Sequence, residues 1–213
     1  MNALRFALPA ASLAMISLVT SFGRAATVVE IAHAYPDGGG YEWKGTGVPE
    51  AIRFGDATIL EKGKSTYCSG FTFAVVMKAA SERGLLKRKT ADDVRAFQKD
   101  WYGSIKESGE TQCAYALEKL GIGKEVKEAE AREGDFLQLW RTNKSGHSVV
   151  FLDWVKDGEK RIGVKYRSSQ KSTDGIGDRV EYFTGVPGKK GLVDPQRLYF
   201  GRLNSPNKKS IRD

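Results

Sequence analysis

The chain holds only two histidines and two cysteines among its 213 residues, and each shortage removes a class of function. His33 stands in a Gly- and Pro-rich stretch and reads as a surface residue. With His147 the only other histidine, zinc lacks partners, so no metal and no cofactor is expected. Cys68 and Cys113 allow one disulfide in an oxidising compartment, or one catalytic thiol and one buried thiol. Beyond the N-terminus no apolar stretch approaches the roughly 20 residues that span a bilayer. There is no internal repeat, low-complexity segment or domain linker.

What is present begins with Met1 to Arg5, an apolar run from Phe6 to Val19, and small residues up to Ala25. That is the basic, apolar, cleavage-site order of a secretory signal, with cleavage after Ala25. No cysteine lies near the cut, so a lipid-anchored precursor is not expected. The formal charge of +8 becomes +6 when the signal takes away Arg5 and Arg24. Such a balance suits an anionic envelope polymer, but Lys and Arg are mixed with Asp and Glu. Lys87-Arg88-Lys89 reads as a solvated turn, not a nucleic-acid patch.

Residues 26–66, dense in Gly and Pro around AHAYPDGGGYEWKGTGVPE, read as an irregular arm or wall. A helix is predicted from about Cys68 to Arg83, terminated by Gly84. Thr90 and Asp93 form a capping-box signal for a second helix carrying Val94, Phe97 and Trp101. A third runs from about Thr111 to Leu120, where Cys113 shares an apolar face with Ala116, Leu117 and Leu120. All three are expected to be amphipathic. From Asp135 the chain turns to β-branched and aromatic residues: DFLQLWR, HSVVFLDWV, RIGVKYRSS and RLYFGRL, with a hairpin turn at Lys156-Asp157-Gly158. The expectation is an α+β fold with one core, N-terminal helices packed on an antiparallel β-sheet over residues 67–204, and a loose basic tail over 205–213.

Cys68 is the candidate nucleophile. A thiol attacks carbonyls as the thiolate, which a helix N-terminus or an imidazole favours. Cys68 opens a helix, and the small Ser69 and Gly70 leave room for backbone amides to meet an oxyanion. His147, at the start of a strand and preceded by Gly146, is the candidate base. Each residue also has an ordinary reading, Cys68 as a small buried hydrophobe and His147 as a hydrogen-bonded strand end.

Cys68-Ser69-Gly70 opening a helix, then GDFLQLW from Gly134, then GHSVVFLDW from Gly146, is similar to the papain-like cysteine peptidases and amidases of the NlpC/P60 type. The matching region runs from about Tyr67 to Ser169. The resemblance implies that Cys68 is the nucleophile, that His147 is general base and then acid, and that Gly134-Asp135 is the turn into the sheet. It makes Asp135 structural. A third residue orienting the imidazole belongs on the following strand, where Gln170 is the best acceptor and Ser169, Ser168 and Asp174 are alternatives. Tyr67 stands where the family has an acid, so its hydroxyl is a candidate to help hold an oxyanion, beside Ser69. Ser172 to Asp178 reads as a loop lining the cleft or as a plain turn. The implied activity is hydrolysis of amide bonds, in peptidoglycan stem peptides, by an exported monomer whose partner is a peptide or envelope polymer and not nucleic acid. An inactive envelope-binding domain and an acyltransferase are the alternatives.

Overall fold

The computed structural model describes residues 25–206. The expected signal, Ala25 excepted, and residues 207–213 of the expected tail lie outside the described residues. Among the described residues no helix is long and apolar enough to cross a membrane.

The N-terminal stretch is more ordered than its composition predicts. Helix α1 spans Val28–His33 and is closed by a capping box in which Thr27 Oγ1 accepts from Glu30 N at 3.1 Å and Glu30 Oε2 accepts from Thr27 N at 2.7 Å. Strand β1 is Gly38–Gly39, and β2 (Ile52–Phe54) with β3 (Ala57–Leu60) forms a separate hairpin. The expected irregular arm is therefore corrected. Thr27 and Glu30 supply the Thr-x-x-Glu pattern of a capping box, and Val28, Ile31 and Ala32 are buried in the main core.

Helix α2 spans Cys68–Glu82, α3 Ala91–Trp101 and α4 Cys113–Leu120. The α3 start is the anticipated capping box, Asp93 N donating to Thr90 Oγ1 at 3.1 Å. Gly84 follows α2 at φ +68°, a conformation that glycine adopts at no steric cost. The expectation of an amphipathic α2 is corrected, since every residue from Phe71 to Met77 is buried. A helix apolar all round is a central one, and α2 packs against α1, α3 and the sheet.

The remaining strands are β4 (Gly123–Val126), β5 (Phe136–Arg141), β6 (Gly146–Asp157), β7 (Lys160–Gln170), β8 (Gly175–Tyr182) and β9 (Val193–Leu203). With β1 they make a seven-stranded antiparallel sheet in the order β1-β8-β7-β6-β5-β9-β4. The molecule is thus mixed α+β with a large antiparallel sheet. The stretch Ser172 to Asp178 is not a free loop: a 3₁₀ turn, Lys171–Thr173, leads straight into β8. Gly175 and Gly177 weaken its strand signal, yet Gly175 is required because a Cβ there would overlap the Gly38 carbonyl.

The two faces of the sheet carry separate cores. Phe136, Val150 and Ile176 meet the helices, with Phe97 tilted against Trp101 at 5.4 Å and Trp101 edge-on to Phe136 at 5.0 Å. Leu137, Leu139, Val149, Phe151, Val164, Tyr166 and Phe200 form the core of the opposite face. Asp135, at the entry to β5, is buried in an ion pair with Arg202 at 2.7 Å and accepts from Arg132 N at 2.9 Å.

Candidate active site

The N-terminus of α2 carries Cys68. Tyr67 precedes it in extended geometry and gives no side-chain cap, and no acid lies in the first turn, so the backbone amides there remain an anion-favouring end. Cys68 is half-buried, and its sulfur is 3.9 Å from Ser69 Oγ. Thr72 Oγ1 donates to Cys68 O at 2.9 Å and accepts from Trp101 Nε1 at 3.1 Å, which fixes the first turn to α3. Ahead of the helix, Thr66 Oγ1 and Ser169 Oγ are 2.7 Å apart. That contact ties the approach to Cys68 to the end of β7, one residue from Gln170.

His147 is buried near the start of β6, and its Nε2 lies 3.4 Å from Gln170 Oε1. The Gln170 amide is oriented by its own partners: its Nε2 donates to Gly177 O at 3.3 Å and to Thr173 Oγ1. A carbonyl only accepts, so Oε1 faces the histidine and the ring nitrogen must donate. The neutral ring then carries its proton on Nε2 and its lone pair on Nδ1, for which there is no hydrogen-bond partner among the described residues. Burial, followed by the charge of Arg141, lowers the His147 pKa to about 3, so the ring is neutral.

Around it lies a polar network that the sequence reading missed. Tyr166 meets the His147 ring edge to face at 5.4 Å. Its hydroxyl donates to Glu181, whose carboxylate takes two bonds from Arg141, Nε at 2.8 Å and Nη2 at 2.5 Å. Burial alone would raise the Glu181 pKa, but the bonds and charge of Arg141 and the bond from Tyr166 hold it down at about 2. The available signal was a charge at the end of the apolar DFLQLWR and another inside DRVEYF.

The expected residues are only partly assembled. Register pairs His147 with Leu139 and Phe151 with Tyr166, so the imidazole lies in the phase of the second core, on the face away from α2. Ser148, one residue on, is in the helix-facing phase, where its Oγ donates to Gln138 Oε1 at 2.6 Å. Among the described residues no hydrogen bond joins Cys68 to His147. Of the alternative third residues, Ser168 donates to Ser148 O at 2.7 Å, Ser169 meets Thr66, and Asp174 is an exposed turn residue at φ +46°. Tyr67, proposed for an oxyanion, instead donates its hydroxyl to Gly45 O at 3.1 Å and packs edge to face on Tyr102. The two cysteines are free thiols. Cys113 is buried, and burial pushes its pKa up to about 12, with neighbouring Ser148 acting against the rise.

No family model matches the chain, and neither a curated protein nor a solved structure gives a significant match.

Proposed function

We propose that the chain is an exported cysteine hydrolase of amide bonds, with a papain-like fold of the NlpC/P60 type, acting on peptides of the cell-envelope polymer. Cys68 is the nucleophile. As its sulfur bonds to the carbonyl carbon, the thiol proton passes by way of solvent at the shared end of the sheet to Nδ1 of His147, whose ring lies on the face away from α2. The leaving amine takes that proton as the C–N bond breaks, and water then cleaves the thioester to release the acid and restore the thiol. Export rests on the N-terminal sequence. The observation that carries the reading is the His147–Gln170 contact of 3.4 Å, which leaves Nδ1 as the open basic nitrogen. The bond from Thr66 to Ser169 supports it by joining the Cys68 segment to the same end of the sheet.

Cys68→Ala tests the assignment. Turnover of soluble wall peptides should fall by at least about a thousandfold, as for loss of a nucleophile, while the melting temperature holds. Full activity in that variant would end the reading. A transferase uses the same two residues, and product analysis with and without an added amine separates it from a hydrolase.

A specific observation favours a second reading, an envelope-binding domain without catalysis: the strand phase of His147 and the lack of a bond from it to Cys68 among the described residues. On that reading iodoacetamide labels Cys68 no faster than a small-molecule thiol at neutral pH. Catalysis requires faster labelling, reduced by His147→Gln.

A further inference from the structure

Three large hydrophobic side chains are exposed among the described residues, and Trp43, at 80%, far exceeds Val180 and Leu192. Its loop is not loose. Glu42 N donates to Thr66 O at 3.2 Å, Tyr67 N to Gly47 O at 3.3 Å, and Gly63 N to Val48 O at 3.0 Å. Side chains add Tyr67 Oη to Gly45 O at 3.1 Å, Tyr102 Oη to Thr46 O at 2.7 Å, and Thr46 Oγ1 to Glu61 O at 2.8 Å. Gly70, in the first turn of α2, lies so close to the Gly47 backbone that a Cβ would overlap it. The loop is thus clamped to the helix end that bears Cys68, yet it offers an indole to solvent. An ordered scaffold presenting one large aromatic face is the arrangement of a binding contact, since exposed tryptophan is otherwise kept rare.

We infer that Trp43 is a saccharide-stacking residue on the loop clamped to the Cys68 end of α2, taking an uncharged pyranose ring of the envelope polymer. A flat indole without walls matches the C–H face of a sugar ring, and the ring's hydroxyls reach polar neighbours at its edge. Among those neighbours Lys44 pairs with Glu42 at 2.8 Å, and Lys64, which also acts on Glu42, leaves one positive charge over. A polyanion is held by several unpaired cations, and one is too few, so the surroundings fit a hydroxyl-rich neutral ligand better than a phosphate backbone. This inference deepens the proposed function by naming the part of the polymer recognised next to the thiol.

The test is calorimetric titration of the full chain carrying Cys68→Ala with an N-acetylglucosamine tetrasaccharide, a stem tetrapeptide and a single-stranded oligonucleotide. Adding Trp43→Ala should weaken tetrasaccharide binding by about tenfold or more, as loss of a stacking contact does, with Trp43→Phe intermediate. Tetrapeptide binding and the melting temperature should stay unchanged. No saturable tetrasaccharide binding, equal affinity with and without Trp43, an equal loss for the tetrapeptide, or a Trp43-dependent preference for the oligonucleotide would each overturn the inference. The proposed catalysis fails separately: loss of turnover on Cys68→Ala is measured on free peptide, where Trp43 is not required.

Discussion

The two faces of the sheet solve the burial of polar groups in different ways. Toward the helices, Gln138, Ser148 and the Cys113 thiol form a small neutral set, closed by a 2.6 Å bond from Ser148 to Gln138 and covered by α4. On the other face, His147, Gln170, Tyr166, Glu181 and Arg141 bring a buried ion pair and an imidazole into an otherwise apolar core. A neutral set needs only hydrogen bonds. A buried ion pair must also offset a desolvation penalty of several kcal/mol per ion, so it is weak evidence for stability. The helix side also buries the Arg167 guanidinium, but its carboxylate partners Asp37 and Asp178 reach solvent. The pair buried at both ends lies on the face holding the candidate base, and perturbed groups of this kind cluster at functional sites.

Removing one member of the charged set breaks this contrast most directly. Glu181→Ala leaves Arg141 buried without its carboxylate, and urea unfolding should report a loss of about 3–5 kcal/mol. A change below about 1 kcal/mol, the range of exposed pairs, would mean that water reaches the pair.

Acid should separate the faces next. The folded His147 pKa of about 3 lies below the ordinary imidazole value of 6.5. Above about pH 6.5 both folded and unfolded rings are neutral and the contribution is level. As pH falls toward 3 only the unfolded chain takes the proton, so stability drops by about 1.4 kcal/mol per unit. Glu181, depressed to about 2 from 4.5, adds a second loss below about pH 4.5. In His147→Gln the slope between pH 6.5 and 4.5 should flatten, and an unchanged slope would assign it to other groups.

The smallest effect belongs to the neutral side. Ser148→Ala removes the partner of Gln138, which should cost about 1–3 kcal/mol by thermal melting without altering the pH dependence. A shift in that dependence would show that the faces communicate through β6.

Much of this arrangement was legible, for local reasons. The Thr90 capping box, the Gly84 stop and the helix start at Cys68 are near-neighbour effects and are seen. The hairpin turn expected at Lys156-Asp157-Gly158 falls instead at Gly158-Glu159, with Lys156 and Asp157 ending β6. The contact of His147 with Gln170 had no local signal and was expected only from the resemblance. The α1 capping box was equally local but hidden by the glycines that follow it. Strand β8 was obscured because its glycines serve a long-range contact with β1. The network around His147 joins β5, β7 and β8, and no local pattern brings Arg141 to Glu181.

From the sequence alone came an α+β chain with one thiol at a helix start and one histidine at a strand start. Which way that histidine points was decided by tertiary structure. Side chains alternate along a strand with a period of two, so the register of β6 against β5 and β7 sends His147 into the second core and Ser148 toward the helices. Likewise, AHAYPDGGGYEWKGTGVPE spelled only turns. Packing against the first turn of α2 made part of it a fixed wall with Trp43 on its surface, because the Gly47 and Gly70 backbones can approach only where neither has a side chain.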